Sequence, residues 1–141
     1  MVYLISACLL GTPCRYDGTS RPISEEIARL METDTLIPIC PEILGGLPTP
    51  RPPAERQGDR IVNREGRDVT EEYLRGAREV ARLFRLFRAD GVILKDKSPS
   101  CGTDGIYDGS FTGTLVPGEG VTAAYLRTLG IPVFPETGPE K

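Results

Sequence analysis

Short runs of branched apolar residues alternate with amphipathic segments along most of the chain. The apolar runs have the composition of buried parallel strands and lie at residues 2–5, 35–39, 92–94 and 131–134. Between them, apolar residues recur three and four positions apart, which predicts helices over residues 25–32, 70–89 and 121–129. Ser24 is a suitable cap for the first helix. In the second helix, we expect Tyr73, Phe84 and Phe87 to form the core-facing stripe.

Two further segments break this alternation. Residues 40–58 hold five prolines and three glycines, too many for a helix or a central strand, so they predict a long loop. Ordered loops of this length are usually functional. Residues 60–63 and 67–69 flank Glu65 and Gly66, and we interpret them as a small hairpin that supports the loop.

The order of elements predicts an α/β fold with a mainly parallel sheet between helices, which makes three layers. At 141 residues the chain has the size of one domain, and we expect a single domain over residues 1–141. No internal repeat or interdomain linker is visible in the sequence.

Composition and charge narrow the function classes. The net charge of −3 disfavours long nucleic acids as partners, because binders of polyphosphate carry clustered excess Lys and Arg. No segment reaches the length of a membrane span, and the first ten residues lack the features of a secretory signal, so we expect a cytoplasmic protein. The chain has no histidine, which excludes Ser-His and Cys-His nucleophiles and His-ligated metals.

Three of the four cysteines follow predicted strands. Cys8, Cys40 and Cys101 each come shortly after an apolar run, and the carboxyl ends of parallel strands converge at one edge of a sheet. Converging thiolates favour zinc, Cu(I) or an iron–sulfur cluster. Successive cysteines among all four, Cys14 included, are separated by 5, 25 and 60 residues. These spacings contain neither the C-x2-C knuckle of structural zinc sites nor the C-x2-C-x2-C run of ferredoxins. A cubane cluster on three distant cysteines, with one iron left open, fits this pattern without being required by it.

Two other interpretations remain open from the residues alone. One is a structural or interaction module that binds zinc through all four thiolates, including Cys14. The other is a thiol-redox protein, for which Cys8 and Cys14 are near enough in sequence but lack the C-x-x-C spacing.

Several strings in the chain resemble the thiouracil desulfidase family of bacterial iron–sulfur proteins. They are SACLLGTPCRYDG (6–18), CPEILGGLPTPRPPAE (40–55), GRDVT (66–70), KDKSPSCG (95–102) and IYDGSFTG (106–113). The resemblance extends over about residues 5–136.

This resemblance implies a [4Fe-4S] cluster bound by Cys8, Cys40 and Cys101, with no protein ligand on the fourth iron. It further implies that a small thiolated nucleobase or nucleoside, such as 4-thiouracil, places its sulfur on that iron. Water then replaces the sulfur on carbon, and hydrosulfide leaves without net redox change.

Hydrolysis also needs groups that transfer protons, and without histidine the candidates near the thiolates are Glu42 and Ser98. As the family motif implies, we assign Glu42 as general acid and base and Ser98 as a hydrogen-bonding partner of the substrate. We expect Cys14 to be a thiol beside the site rather than a ligand, because the family pattern does not require Cys there.

Overall fold

A four-stranded parallel sheet forms the centre of the protein. In the computed structural model, which describes residues 1–103 and 105–139, the sheet contains β1 (Val2–Ser6), β2 (Thr35–Ile39), β5 (Gly91–Ile93) and β8 (Val133–Phe134). Their order is β2-β1-β5-β8, and every pair is parallel. The predicted α/β fold with a mainly parallel sheet is confirmed.

Helices cover both faces of this sheet. On one face α1 (Glu25–Thr33) packs Ile27 and Leu30 against Tyr3 and Ile5 of β1. The opposite face carries α3 (Thr70–Leu86) and α4 (Val121–Thr128), which enclose a second apolar cluster around Leu4. Alternate residues of β1 therefore point into different cores, as the two-residue period of a strand requires.

The helix ends follow local capping. The Ser24 side chain accepts a hydrogen bond from the backbone N–H of Ile27 at 3.2 Å, so the predicted cap of α1 is confirmed. Helix α3 stops three residues before its predicted end because Arg88 adopts a left-handed conformation, with φ at 51°. The N–H of Ala89 then bonds to the carbonyl of Phe84 at 3.0 Å, which is a Schellman ending with arginine where glycine is usual. Phe87, predicted to face the core, is consequently exposed.

The predicted hairpin around Glu65 is confirmed in outline. Residues 60–63 and 67–69 run antiparallel, with a bridge between Val62 and Asp68 and backbone hydrogen bonds from Asn63 to Arg67 at 2.9 Å and from Val69 to Ile61 at 2.8 Å. The sequence did not indicate a second antiparallel partner of β4 (Arg60–Asn63), which is β3 (Ala54–Gln57), directly after the last proline of the predicted loop. A further hairpin, β6 (Gly105–Tyr107) with β7 (Leu115–Pro117), lies in the segment between Cys101 and the helix that begins at Val121.

A four-residue helix, α2 (Pro41–Leu44), begins directly after β2 and packs on α3. The two backbones approach closely at two glycines. A Cβ atom on Gly45 would collide with the carbonyl of Glu72, and one on Gly76 would collide with the carbonyl of Pro41. Glycine at both positions therefore fixes where α2 lies.

The order in which strands are added to the sheet changes side at β1. The connection from β1 leads to β2 on one side, and the chain later returns to β5 on the other side. Ligands of open α/β sheets bind in the crevice at the carboxyl ends of strands at such a switch point. No helix of the described part of the chain is long and apolar enough to cross a membrane.

Candidate active site

Three cysteines meet where β1, β2 and β5 end. Cys8 lies in a short 3-10 turn after β1, Cys40 directly follows β2, and Cys101 lies in the loop after β5. We call these three the strand-end cysteines. All three line one cavity of about 360 Å³, and all are free thiols. Their convergence follows from the register, because β1 pairs with both of its neighbours.

Cys14 lines the same cavity, next to Cys8 and Cys40. Its side chain packs in one cluster with those of Cys8 and Cys40. Its backbone carbonyl accepts a hydrogen bond from the Arg51 guanidinium at 2.9 Å, which holds the loop over the site. The structure therefore places Cys14 at the thiol cluster, and its absence from the ligand set remains a prediction.

The thiols differ in how readily they lose a proton. The hydrogen bond from Cys14 lowers the pKa of Cys8 despite burial, and the charge of Lys95 acts in the same direction. Contact with Cys14, together with burial, raises the pKa of Cys40. Burial raises the pKa of Cys101 to about 12, although the Ser6 hydroxyl donates to its sulfur at 3.6 Å. Cys40 and Cys101 therefore resist loss of the thiol proton, whereas Cys8 loses it more readily.

This donor set fits a thiophilic metal group. A metal bonded to sulfur displaces the thiol proton, so binding would overcome the unfavourable ionisation of buried thiols. Within residues 1–103 and 105–139, no three or more Cys, Asp or Glu side chains form a compact group of the kind that binds a single metal ion. A four-iron cluster makes a different demand, because each thiolate bonds a separate iron.

Glu42 lies beside the thiols on α2, and both of its carboxylate oxygens have protein partners. Arg51 donates to Oε2 at 2.7 Å, and the Tyr73 hydroxyl donates to Oε1. Burial and the negative charge of Glu42 raise the pKa of Tyr73 well above its usual value, so this hydroxyl remains a donor. The carboxylate lines the cavity, and its orientation is fixed from two sides.

Arg51 joins three segments around this carboxylate. Besides Glu42 and the Cys14 carbonyl, its guanidinium reaches the Pro48 carbonyl at 3.2 Å and the Thr49 hydroxyl at 3.1 Å. The side chain is only 4% exposed, and its Nε is buried without a partner among the described residues. The proline-rich segment therefore has a structural reason to be ordered.

Ser98 shapes the loop that carries Cys101. Its hydroxyl oxygen accepts hydrogen bonds from the backbone N–H groups of Ser100 at 3.1 Å and Cys101 at 3.2 Å. This is the turn that a Ser-Pro sequence favours, and Ser98 also lines the cavity. The structure thus brings Glu42 and Ser98 to the same cavity as the strand-end cysteines.

Sequence reasoning missed the contribution of Tyr73 to the site. Its ring packs in the core with Ile61 and Val69, as predicted, but its hydroxyl extends to Glu42. The hydroxyl itself could have indicated this contact. Phenylalanine would pack equally well in the core-facing stripe, and a buried tyrosine hydroxyl usually has a hydrogen-bond partner.

Known proteins are similar to this chain in sequence and in fold. The family model described as 2-thiouracil desulfurase matches residues 3–138. The uncharacterized protein YbbK of Bacillus subtilis (strain 168) is 43% identical over 143 residues, which cover 94% of each chain. A solved structure described as the [4Fe-4S]-dependent thiouracil desulfidase TudS superposes with a TM-score of 0.89 at 48% identity, covering 95% of this chain and 89% of that one.

Proposed function

The chain belongs to the 2-thiouracil desulfurase family, and we propose that it removes sulfur from a thiolated nucleobase such as 4-thiouracil by hydrolysis. Water supplies the oxygen that replaces sulfur on the ring carbon, and sulfur leaves as hydrosulfide. The ring carbon and the sulfur both keep their oxidation states, so the reaction needs no electron donor. The observation that carries this proposal is the convergence of the strand-end cysteines in a cavity that also contains Glu42 and Ser98.

We assign Cys8, Cys40 and Cys101 as the ligands of a [4Fe-4S] cluster, the cofactor named for the similar structure. Their shared cavity, free thiols and origin at three adjacent strand ends support this assignment. With three thiolates for four irons, the cluster supplies one open, thiophilic iron for the substrate's sulfur, a Lewis acid that weakens the carbon–sulfur bond.

Glu42 is the proposed proton-transfer group. Its carboxylate accepts a proton from the attacking water and returns it to the departing sulfur, the two halves of general acid–base catalysis. Arg51 and Tyr73 hold the carboxylate at the cavity wall, so that little reorganisation precedes the transfer. Ser98 retains a hydroxyl hydrogen that can be donated to a polar group of the base, because its oxygen acts as acceptor in the two loop bonds.

The size of the cavity supports a small-molecule substrate. About 360 Å³ lies at the lower end of the range for small-ligand pockets. The net charge of −3 also disfavours a long polyphosphate partner. Four thiols without a disulfide support a cytoplasmic location, where cysteines are kept reduced.

Anaerobic purification followed by iron, sulfide and zinc analysis tests the cofactor. We expect four irons and four sulfides per chain, whereas zinc without iron would support the structural module instead. Incubation of the loaded protein with 4-thiouracil in oxygen-18 water tests the reaction. Hydrolysis requires equal amounts of hydrosulfide and uracil, with the label in the uracil. A full cluster that releases no sulfide from any thiopyrimidine would refute the substrate assignment.

A further inference from the structure

An aromatic side chain on the β6–β7 hairpin lines the same cavity in an unusual backbone conformation. Phe111 has φ at 58°, in the left-handed region that bulky residues rarely adopt. It contributes to the cavity wall together with the strand-end cysteines and Ser98. Backbone conformations of this kind persist only where the surrounding structure enforces them, and they are concentrated at functional sites.

The backbone of Phe111 is bound by the buried carboxylate of Glu55 on β3. Its Oε1 accepts hydrogen bonds from the backbone N–H groups of Gly109 at 3.0 Å and Phe111 at 3.2 Å. Glu55 is 8% exposed, so these charge-assisted bonds are shielded from water. Gln57 adds a bond from its amide to the Gly109 carbonyl at 2.9 Å. Strand β3 thereby holds the tip of the hairpin.

The ring has a cationic neighbour as well. The guanidinium carbon of Arg64 lies 5.7 Å from the centroid of the Phe111 ring, within the range of a cation–π interaction. Arg64 also lines the cavity. The ring is therefore held through its backbone by Glu55 and contacted through its π system by Arg64.

We propose that Phe111 is the stacking surface for the pyrimidine ring of the substrate, and that Glu55 is a positioning residue acting through Phe111. This inference rests on the proposed function, which supplies a flat heteroaromatic ring as the ligand. Aromatic side chains bind nucleobases by stacking, because every base has a π face. A ring fixed in advance loses little freedom when the base binds, which favours affinity.

The test is equilibrium binding of 4-thiouracil and uracil to the cluster-loaded protein under anaerobic conditions. Uracil has no sulfur, so its affinity reports recognition of the ring alone. We expect Phe111→Ala to raise the dissociation constant of both compounds about tenfold, Phe111→Leu to raise it less, and Phe111→Tyr to restore affinity. Leu115→Ala, on an exposed residue of the same hairpin, is the control and should leave both affinities unchanged.

Glu55 is tested by the same binding measurement. Glu55→Ala should weaken binding as much as Phe111→Ala and add nothing when both changes are combined. Glu55→Gln keeps an oxygen that can accept both N–H bonds and should retain most of the affinity. A Glu55→Ala effect that persists at full size in the Phe111→Ala background would overturn the positioning role.

The outcomes separate this inference from the proposed function. Binding of both compounds by Phe111→Ala within twofold of the wild-type protein, at equal cluster content, overturns the stacking role even if sulfide release is normal. Wild-type protein that binds neither compound overturns it too. If the wild-type protein binds uracil in a Phe111-dependent way but releases no sulfide, the stacking role is supported and the proposed reaction fails.

Discussion

Replacing Tyr73 with phenylalanine removes a single hydroxyl from the centre of the site. The Tyr73 ring is 2% exposed and packs against Ile61 and Val69, contacts that phenylalanine keeps. The hydroxyl donates to Oε1 of Glu42, and hydrogen bonds to charged groups contribute about 1.5–3 kcal/mol. We therefore expect Tyr73→Phe to lower the free energy of unfolding by about 1.5–3 kcal/mol at neutral pH.

The same variant should change the pH dependence of stability. Because the folded state raises the pKa of Tyr73, the unfolded chain releases this proton first, near the usual pKa of about 10. The stability contributed by the neutral hydroxyl is thus fully present below about pH 10 and is lost as the pH rises toward the folded-state pKa. The difference between wild type and Tyr73→Phe should consequently shrink above about pH 10.

Urea unfolding at a series of pH values, with matched cluster content, measures both effects. Tyr125→Phe is the control, because it removes a hydroxyl from a half-buried ring of α4 without altering the partners of Glu42. A Tyr73→Phe protein within about 0.5 kcal/mol of wild type at pH 7, the range of neutral surface changes, would refute the argument. Unchanged m values would establish that the comparison concerns stability alone.

Four other predictions concern the metal site, the chemistry and the packing. Replacement of any one strand-end cysteine by serine should abolish cluster retention, measured by visible absorption and electron paramagnetic resonance, whereas Cys14→Ser should retain most of the cluster. Normal cluster content in any of the three strand-end variants would contradict the ligand set. Glu42→Gln should keep the cluster but lose ~10²–10⁴-fold in sulfide release, and wild-type turnover would make the carboxylate structural. Ser98→Ala should cost only about threefold to tenfold at equal cluster content, the equivalent of one neutral hydrogen bond. A larger loss with unchanged cluster content would assign Ser98 a role in proton transfer, whereas a loss of cluster would reflect the two hydrogen bonds that shape the Cys101 loop. Gly76→Ala should lower the free energy of unfolding, measured in urea, by at least ~1–3 kcal/mol, because the added Cβ meets the Pro41 carbonyl. Stability equal to that of Arg78→Ala, a control at an exposed position of the same helix, would show that α2 can shift freely.

The sheet and the meeting point of the cysteines could be predicted because their signals are local and repeated. Apolar runs mark the strands, and parallel pairing brings the following residues to one edge. Cys8 and Cys40 needed only this reasoning to be placed together. Cys101 needed the further fact that β5 pairs with β1, which the chain order favours without specifying.

The features that escaped prediction depend on contacts between distant segments. Arg88 ends α3 in a conformation that glycine normally signals, so the sequence carried no stop there. Glu55 and Phe111 meet because β3 lies against the β6–β7 hairpin, which no local pattern in the sequence indicates. Likewise, the bond from Tyr73 to Glu42 depends on how closely α2 approaches α3, which two glycines far apart in sequence determine.

The strand order has a consequence for how the proposed metal site is assembled. Pairing of β1 with β2 brings together Cys8 and Cys40, which both lie in the first third of the chain. Cys101 joins them only after β5 has docked on the other edge of β1. Two of the three proposed ligands therefore precede the third by more than 60 residues of chain. We therefore expect a cluster to be retained only once β5 has paired with β1, because this pairing brings the third thiol to the site.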